Sequence, residues 1–241
     1  MDRRSREAGP VAAVAFSAAS VQAGAAVGAT LFPLVGPLGV TAMRQVVSAV
    51  TLLAIARPPL RALGLRRLAP ALLLGVVLVG MNFSLYSAVQ RIGLGLGVTV
   101  EFLGPLAVAL LGARRTTRRA AVARIGCAAL ALGGVVLITD PMTGARTDVA
   151  GLAFGAAAAV LWAAYILLNE RAGALPGVTG TAVAGLTGTV LTLPVLVVLL
   201  LAVPEEDLPR LLLLGAVTGV LSSALPYSID LLVLRRIPRS L

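Results

Sequence analysis

The chain has 241 residues, of which 59% are hydrophobic and only 12% charged, with a mean hydropathy of +0.99 and a net charge of +10. A soluble globular domain is about one-quarter charged, so this composition cannot cover a surface facing water, and the chain is an integral membrane protein. It has no histidine and one cysteine, Cys127, which excludes HExxH metal sites, histidine-based triads and an intrachain disulfide.

A helix crosses a bilayer with about 20 mostly apolar residues, and the sequence predicts eight such spans. The first, 11–31, follows Arg3, Arg4 and Arg6. That is the start of a signal peptide in outline, but its length and the spans after it predict a retained helix. It is rich in Ala and Gly and carries Ser17, Ser20, Gln22, Gly24 and Gly28, too weakly apolar to prefer lipid. Gln22 is a candidate ligand, and Gly24-xxx-Gly28 predicts close helix packing. The second span, 38–56, places Thr41, Arg44, Ser48 and Thr51 at spacings of 3, 4 and 3, so they form one polar stripe. The planar fork of Arg44 suits a substrate carboxylate. An ion pair with Glu101 or snorkelling to the surface are its structural alternatives.

The third span, 68–89, brings Asn82, Tyr86 and Gln90 onto one face. The fourth, 93–112, contains Glu101 and Pro105 within "GVTVEFLGPLAVALL". An intramembrane carboxyl is expensive and reads as functional by default. Pro105 cannot donate to the carbonyl of Glu101, four residues back, so a helix break is expected at the carboxyl. Gly97 and Gly104 share its face and let a helix or a ligand approach closely. A protonated Glu101 hydrogen-bonded between helices is the structural alternative. The fifth span, 120–139, follows the basic run "ARRTTRRA", which as a short loop requires no nucleic acid. The sixth, 149–168, puts Trp162, Tyr165 and Asn169 on one face, each read as a packing residue before a ligand. The seventh is 178–203. In the eighth, 208–234, Pro226 frees the carbonyl of Ser222 beside Ser223, a second helix-break site, and Asp230 reads as an interfacial charge.

All twenty basic residues are arginines. With the N-terminus cytoplasmic, sixteen fall on inside segments, and only Arg91, Arg146 and Arg210 fall outside, with Arg44 in a span. The positive-inside rule then puts both termini in the cytoplasm. The halves also resemble each other. "VAAVAFSAAS" from Val11 matches "VAGLAFGAAA" from Val149 at six of ten positions, and Tyr86-Ser87 matches Tyr227-Ser228. A five-helix unit is odd, so its second copy is inverted, which is a transporter signature. The expected domains are a cytoplasmic tail (1-10), a five-helix repeat (11-140) and an incomplete three-helix repeat (149-241). The counterpart of Glu101 would fall just past Leu241, so the expectation is a ten-helix protein cut before its last two helices.

"FPLVGPLGVTAMR", "MNFSLYSAVQ", "GVTVEFLGPLAVALL" and "ALPYSIDLLVLRRIP" together resemble the drug/metabolite transporter superfamily, EamA type. Within it, the chain is most similar to the inner-membrane threonine/homoserine exporters. The resemblance implies a secondary active, proton-driven carrier that exports small amino acids and is not an enzyme. The expected partners are a small zwitterionic substrate, protons and the lipid bilayer, with a homodimer as an open alternative and no nucleic acid or cofactor. The candidate substrate residues are Glu101, Arg44, Asn82, Tyr86 and Gln22, with Pro105 and Pro226 as helix breaks. The competing expectation is a truncated, non-transporting membrane protein.

Overall fold

The computed structural model describes residues 3–56, 64–113, 122, 126, 129–130, 133, 148–172, 175 and 179–226. Its main elements are α1 (Arg3–Ala29), α2 (Phe32–Ala56), α3 (Leu65–Glu101), α4 (Leu103–Ala113), α5 (Val149–Ala172), α6 (Thr179–Ala202) and α7 (Leu208–Gly219). A π-helical turn, Val220–Ala224, continues α7 directly. No strand occurs among the described residues. Most of the predicted fifth span and of the basic run before it, with Cys127, Tyr227-Ser228 and Asp230, lies outside the described residues.

Four helical stretches are long and apolar enough to cross a membrane among the described residues: Phe32–Ala54, Arg66–Leu111, Val149–Asn169 and Thr179–Ala202. Leu208–Ser223 is a shorter apolar one. The first predicted span is helical as α1 but is not among the four, in keeping with its Ala/Gly-rich composition.

Two glycines explain how long helical runs are divided. In α2, Gly36 has φ 64° and ψ 177°, outside the helical region and strained for any residue with a Cβ. Pro37 follows it, and proline is well suited to the first turn of a helix. The predicted second span, 38–56, covers the regular part of α2 after this break, whereas the apolar stretch itself begins earlier, at Phe32. The stretch Arg66–Leu111 has 46 residues, about 70 Å if straight, against a hydrocarbon core of about 30 Å. Gly93, with φ 80° and ψ 161°, interrupts it. A Cβ on Gly97 would stand 3.2 Å from the backbone nitrogen of Val89, so the chain doubles back at Gly93. The boundary between the predicted third and fourth spans falls at this bend.

The burial pattern is the reverse of a soluble protein's. Leu201, Leu213, Val198 and Val190 are exposed, while Thr41, Gln45, Ser48, Asn82, Thr192 and Thr218 are buried. Lipid is as apolar as leucine, so helices associate by close packing of small residues and by polar contacts. Gly75 of α3 lies against the Ala184 carbonyl of α6, and Gly215 and Gly219 of α7 seat Met43 and Val47 of α2. Gly24 meets Leu221 and Ser222, and Gly28 meets Val40 and Thr218, so the predicted Gly24-xxx-Gly28 pair packs α1 on α2 and α7. One apolar cluster joins Leu31, Phe32, Val40, Leu85, Tyr86 and Leu211. A second joins Leu74, Leu78, Val183 and Ala184.

At one helix end Asp148 caps α5. Its Oδ1 accepts hydrogen bonds from the amides of Ala150 (2.8 Å) and Gly151 (3.2 Å), and its Oδ2 accepts one from Arg91 Nη1 at 3.0 Å. Arg91 also stands over the Phe154 ring, 5.9 Å from its centroid. The Arg91 bond, followed by the Gly151 amide, holds the Asp148 carboxyl below its ordinary pKa of 3.8. A lowered carboxyl stabilises the fold above the ordinary value and loses that contribution as pH falls through the lowered one. Asp148→Asn should therefore lower the thermal midpoint in detergent by a few degrees at neutral pH, with the difference closing below pH 3.8. A difference that persists unchanged in acid would show that the charge plays no part.

Candidate functional site

The polar stripe of α2 turns inward. Thr41 and Ser48 are buried, and the Thr41 hydroxyl donates to the Pro37 carbonyl at 2.9 Å. Arg44, half-buried between them, reaches two other elements. Its Nη2 donates to the Ser222 carbonyl at 3.0 Å, its Nε to Ser223 Oγ at 3.4 Å and its Nη1 to the Tyr86 hydroxyl at 3.4 Å.

The π-helical turn makes that first bond available. It is marked by the Leu225 amide donating to the Val220 carbonyl. Pro226 follows and has no N–H. In α-helical spacing it would have served the Ser222 carbonyl, and in π-helical spacing the Leu221 carbonyl. Both find side-chain donors instead: Arg44 for Ser222, and the Ser20 hydroxyl for Leu221 at 2.7 Å.

A guanidinium has five N–H groups. Three are engaged here, by a carbonyl and two hydroxyls, all neutral. One N–H is left on each terminal nitrogen, the number a carboxylate needs for a bidentate pair. No carboxylate oxygen of the described residues lies within 4.0 Å of Arg44.

Glu101 ends α3. The helix stops there, Phe102 intervenes, and α4 starts at Leu103. The Phe102 amide still donates to Val98 and the Leu106 amide to Phe102, at 3.0 and 3.2 Å. Pro105 leaves the Glu101 carbonyl without its helical donor. The Glu101 side chain is buried, and among the described residues its carboxyl has no hydrogen bond and no ion pair. The two small residues on its face are taken by protein: Gly104 by the Ala159 carbonyl of α5, Gly97 by Val89. Phe102 faces outward and packs edge-to-face on Trp162, with ring centroids 4.9 Å apart.

Tyr86 is fully buried, its ring edge-to-face with Phe32 at 5.7 Å. Asn82, one turn away, is buried and its amide donates to the Leu78 carbonyl at 2.8 Å. Arg44, Tyr86, Ser222 and Ser223 are thus brought together, with Ser20 behind them. Gln22 is not. It sits about 200° round α1 from both Ser20 and Gly24, which face the π turn. Gln90 and Asn169 are exposed, and Trp162 is occupied in packing. The sequence reading did not single out Gln45, whose buried amide lies against Gly188 of α6, nor Asp148. Among the described residues no group of three or more His, Cys, Asp or Glu side chains comes together as a metal site.

Apolar-faced helices around a polar centre, with a cation and a carboxyl that do not bond each other, define a multi-pass membrane protein built like a solute carrier. Its relatives narrow this further. The chain is 35% identical over 232 residues to the threonine/homoserine exporter RhtA of Salmonella typhimurium, covering 95% of this chain and 75% of that protein. It is 34% identical over 229 residues to the threonine/homoserine exporter RhtA of Escherichia coli K12, with the same coverage. The chain belongs to this exporter family, within the drug/metabolite transporters. No family model matches it, and no solved structure does.

Proposed function

We propose that the protein exports small amino acids of the threonine and homoserine type across the inner membrane as a proton-coupled secondary carrier. The observation that carries this reading is a pair of ionisable side chains that do not bond each other. Among the described residues, half-buried Arg44 has neutral hydrogen-bond partners only, and buried Glu101 has none. An uncompensated charge out of water costs several kcal/mol. A zwitterion answers both at once, its carboxylate on the free edge of Arg44 and its ammonium on Glu101. Tyr86 and Asn82 line the same face of α3. Glu101 holds either the ammonium or a proton, and that exclusion couples amino-acid release to proton entry.

On this reading the architecture is eight spans, with 11-140 and 149-241 as EamA-like repeats inverted relative to each other and both termini cytoplasmic. The arginine distribution supports the orientation.

Proteoliposomes loaded with unlabelled threonine should accumulate labelled threonine by counterflow, and alanine-loaded controls should accumulate much less. No counterflow above protein-free liposomes would overturn the export reading. Single cysteines in a Cys127→Ser background should be labelled from outside near Arg146 and not near Arg66. The opposite pattern would overturn the orientation.

A further inference from the structure

Two buried amides, on the helices that carry Arg44 and Tyr86, have unused halves of opposite kind. Gln45 and Asn82 are each 3% exposed. Asn82 spends its N–H on the Leu78 carbonyl at 2.8 Å. Only the amide nitrogen can donate to a carbonyl, so that bond fixes which atom is oxygen. The oxygen, Oδ1, is buried and accepts nothing. Gln45 presents the reverse case, with a buried Nε2 that donates to nothing. Buried polar groups are nearly always satisfied, so each calls for an explanation.

The two lie on facing helices in one neighbourhood. A Cβ on Gly188 of α6 would stand 2.8 Å from Gln45 Nε2 and 3.2 Å from Val79 Cγ2. The Gln45 amide and Val79 therefore crowd the same glycine, and Asn82 is one turn along α3 from Val79. Their chain neighbours also meet, since Arg44 donates to Tyr86, the residue one turn beyond Asn82. Gly188 makes the room, because any side chain there would displace the Gln45 amide.

We propose that Gln45 and Asn82 form a hydroxyl-reading subsite, in which the substrate's side-chain hydroxyl accepts from Gln45 Nε2 and donates to Asn82 Oδ1. The chemistry selects the ligand. An ammonium only donates, a carboxylate only accepts, and an alkyl group does neither; a hydroxyl does both from one atom. This inference rests on the export reading and adds to it the basis of selectivity. A site built to bond a hydroxyl discriminates strongly against the analogue that lacks it, because its own polar groups are then left unpaired. Valine, which replaces the hydroxyl of threonine by a methyl, is that analogue.

The test is competition in threonine counterflow, using the full chain and the near-isosteric variants Gln45→Met and Asn82→Leu. In the parent, valine should need roughly tenfold or more the concentration of threonine to compete. In each variant that gap should narrow to within about threefold, chiefly through weaker threonine binding. A parent that treats the two amino acids alike overturns the subsite. So do variants that lose threonine and valine in equal proportion, which would mean that the amides hold only water or a helix contact. A parent with no amino-acid counterflow at all fails differently: it removes the export reading and the subsite with it.

Discussion

Arg44→Lys should raise the KM for threonine counterflow by roughly ten- to a hundredfold while the protein still folds and inserts. The guanidinium is held on three sides, by the Ser222 carbonyl, Ser223 Oγ and the Tyr86 hydroxyl. These partners surround a plane, and lysine has none. Its ammonium carries three donors on one atom at the end of a flexible stem. It can satisfy the Ser222 carbonyl, the shortest of the three contacts, but then has no parallel pair of N–H groups for a carboxylate. The charge survives and the fork does not, so binding should fall more than turnover. Ser223→Ala and Tyr86→Phe each remove one long hydrogen bond and leave the fork, so each should cost only about threefold. An Arg44→Lys variant with parental KM would show that the substrate carboxylate is bound elsewhere.

The helices were legible where hydrophobicity alone decides them. Apolar runs located α5 and α6 within a few residues, while α2 begins at Phe32, ahead of the predicted span that started at residue 38. The reversal at Gly93 was legible as a boundary between runs, though only backbone geometry shows the chain folding onto Val89. The polar stripe of α2 was legible because a period of 3.6 residues is local information. Its partners were not. Pro226 announces that the Ser222 carbonyl loses a donor, but nothing local says that Arg44, 178 residues away, supplies the replacement. The same limit misplaced attention on α1. Gln22 is the most polar residue of its apolar part, yet the register of α1 against the π turn presents Ser20 and Gly24 instead. Around Glu101 the sequence offered small residues to a helix or a ligand, and α5 takes Gly104 by backbone contact. Gln45 went unnoticed although it stands four residues from Thr41 and three from Ser48, because its significance depends on what α3 and α6 bring to it. Asp148 was readable as the polar residue before an apolar run, the sequence mark of a helix N-cap.

Glu101→Gln should abolish efflux driven by an imposed proton gradient and leave much of the threonine counterflow. The amide keeps the size of the side chain and an acceptor oxygen for the ammonium, but it cannot take up a proton. Exchange of amino acid for amino acid needs no proton to move, so it should continue, within about fivefold of the parent, the loss of one charge-assisted hydrogen bond. Net efflux requires the site to return occupied by a proton, and with glutamine it cannot. Folding should be unharmed, because the substitution removes an unpaired carboxyl from a buried position and breaks no bond among the described residues. The two readouts separate the roles that one carboxyl can have. Loss of both in a well-folded variant would make Glu101 a binding group whose charge is indispensable to the ammonium. Gradient-driven efflux equal to the parent's, at matched expression and from mildly acidic to mildly alkaline pH, would show that protons enter by another route. Glu101 would then be the end of a helix and no more, its carboxyl placed there by the break that Pro105 imposes.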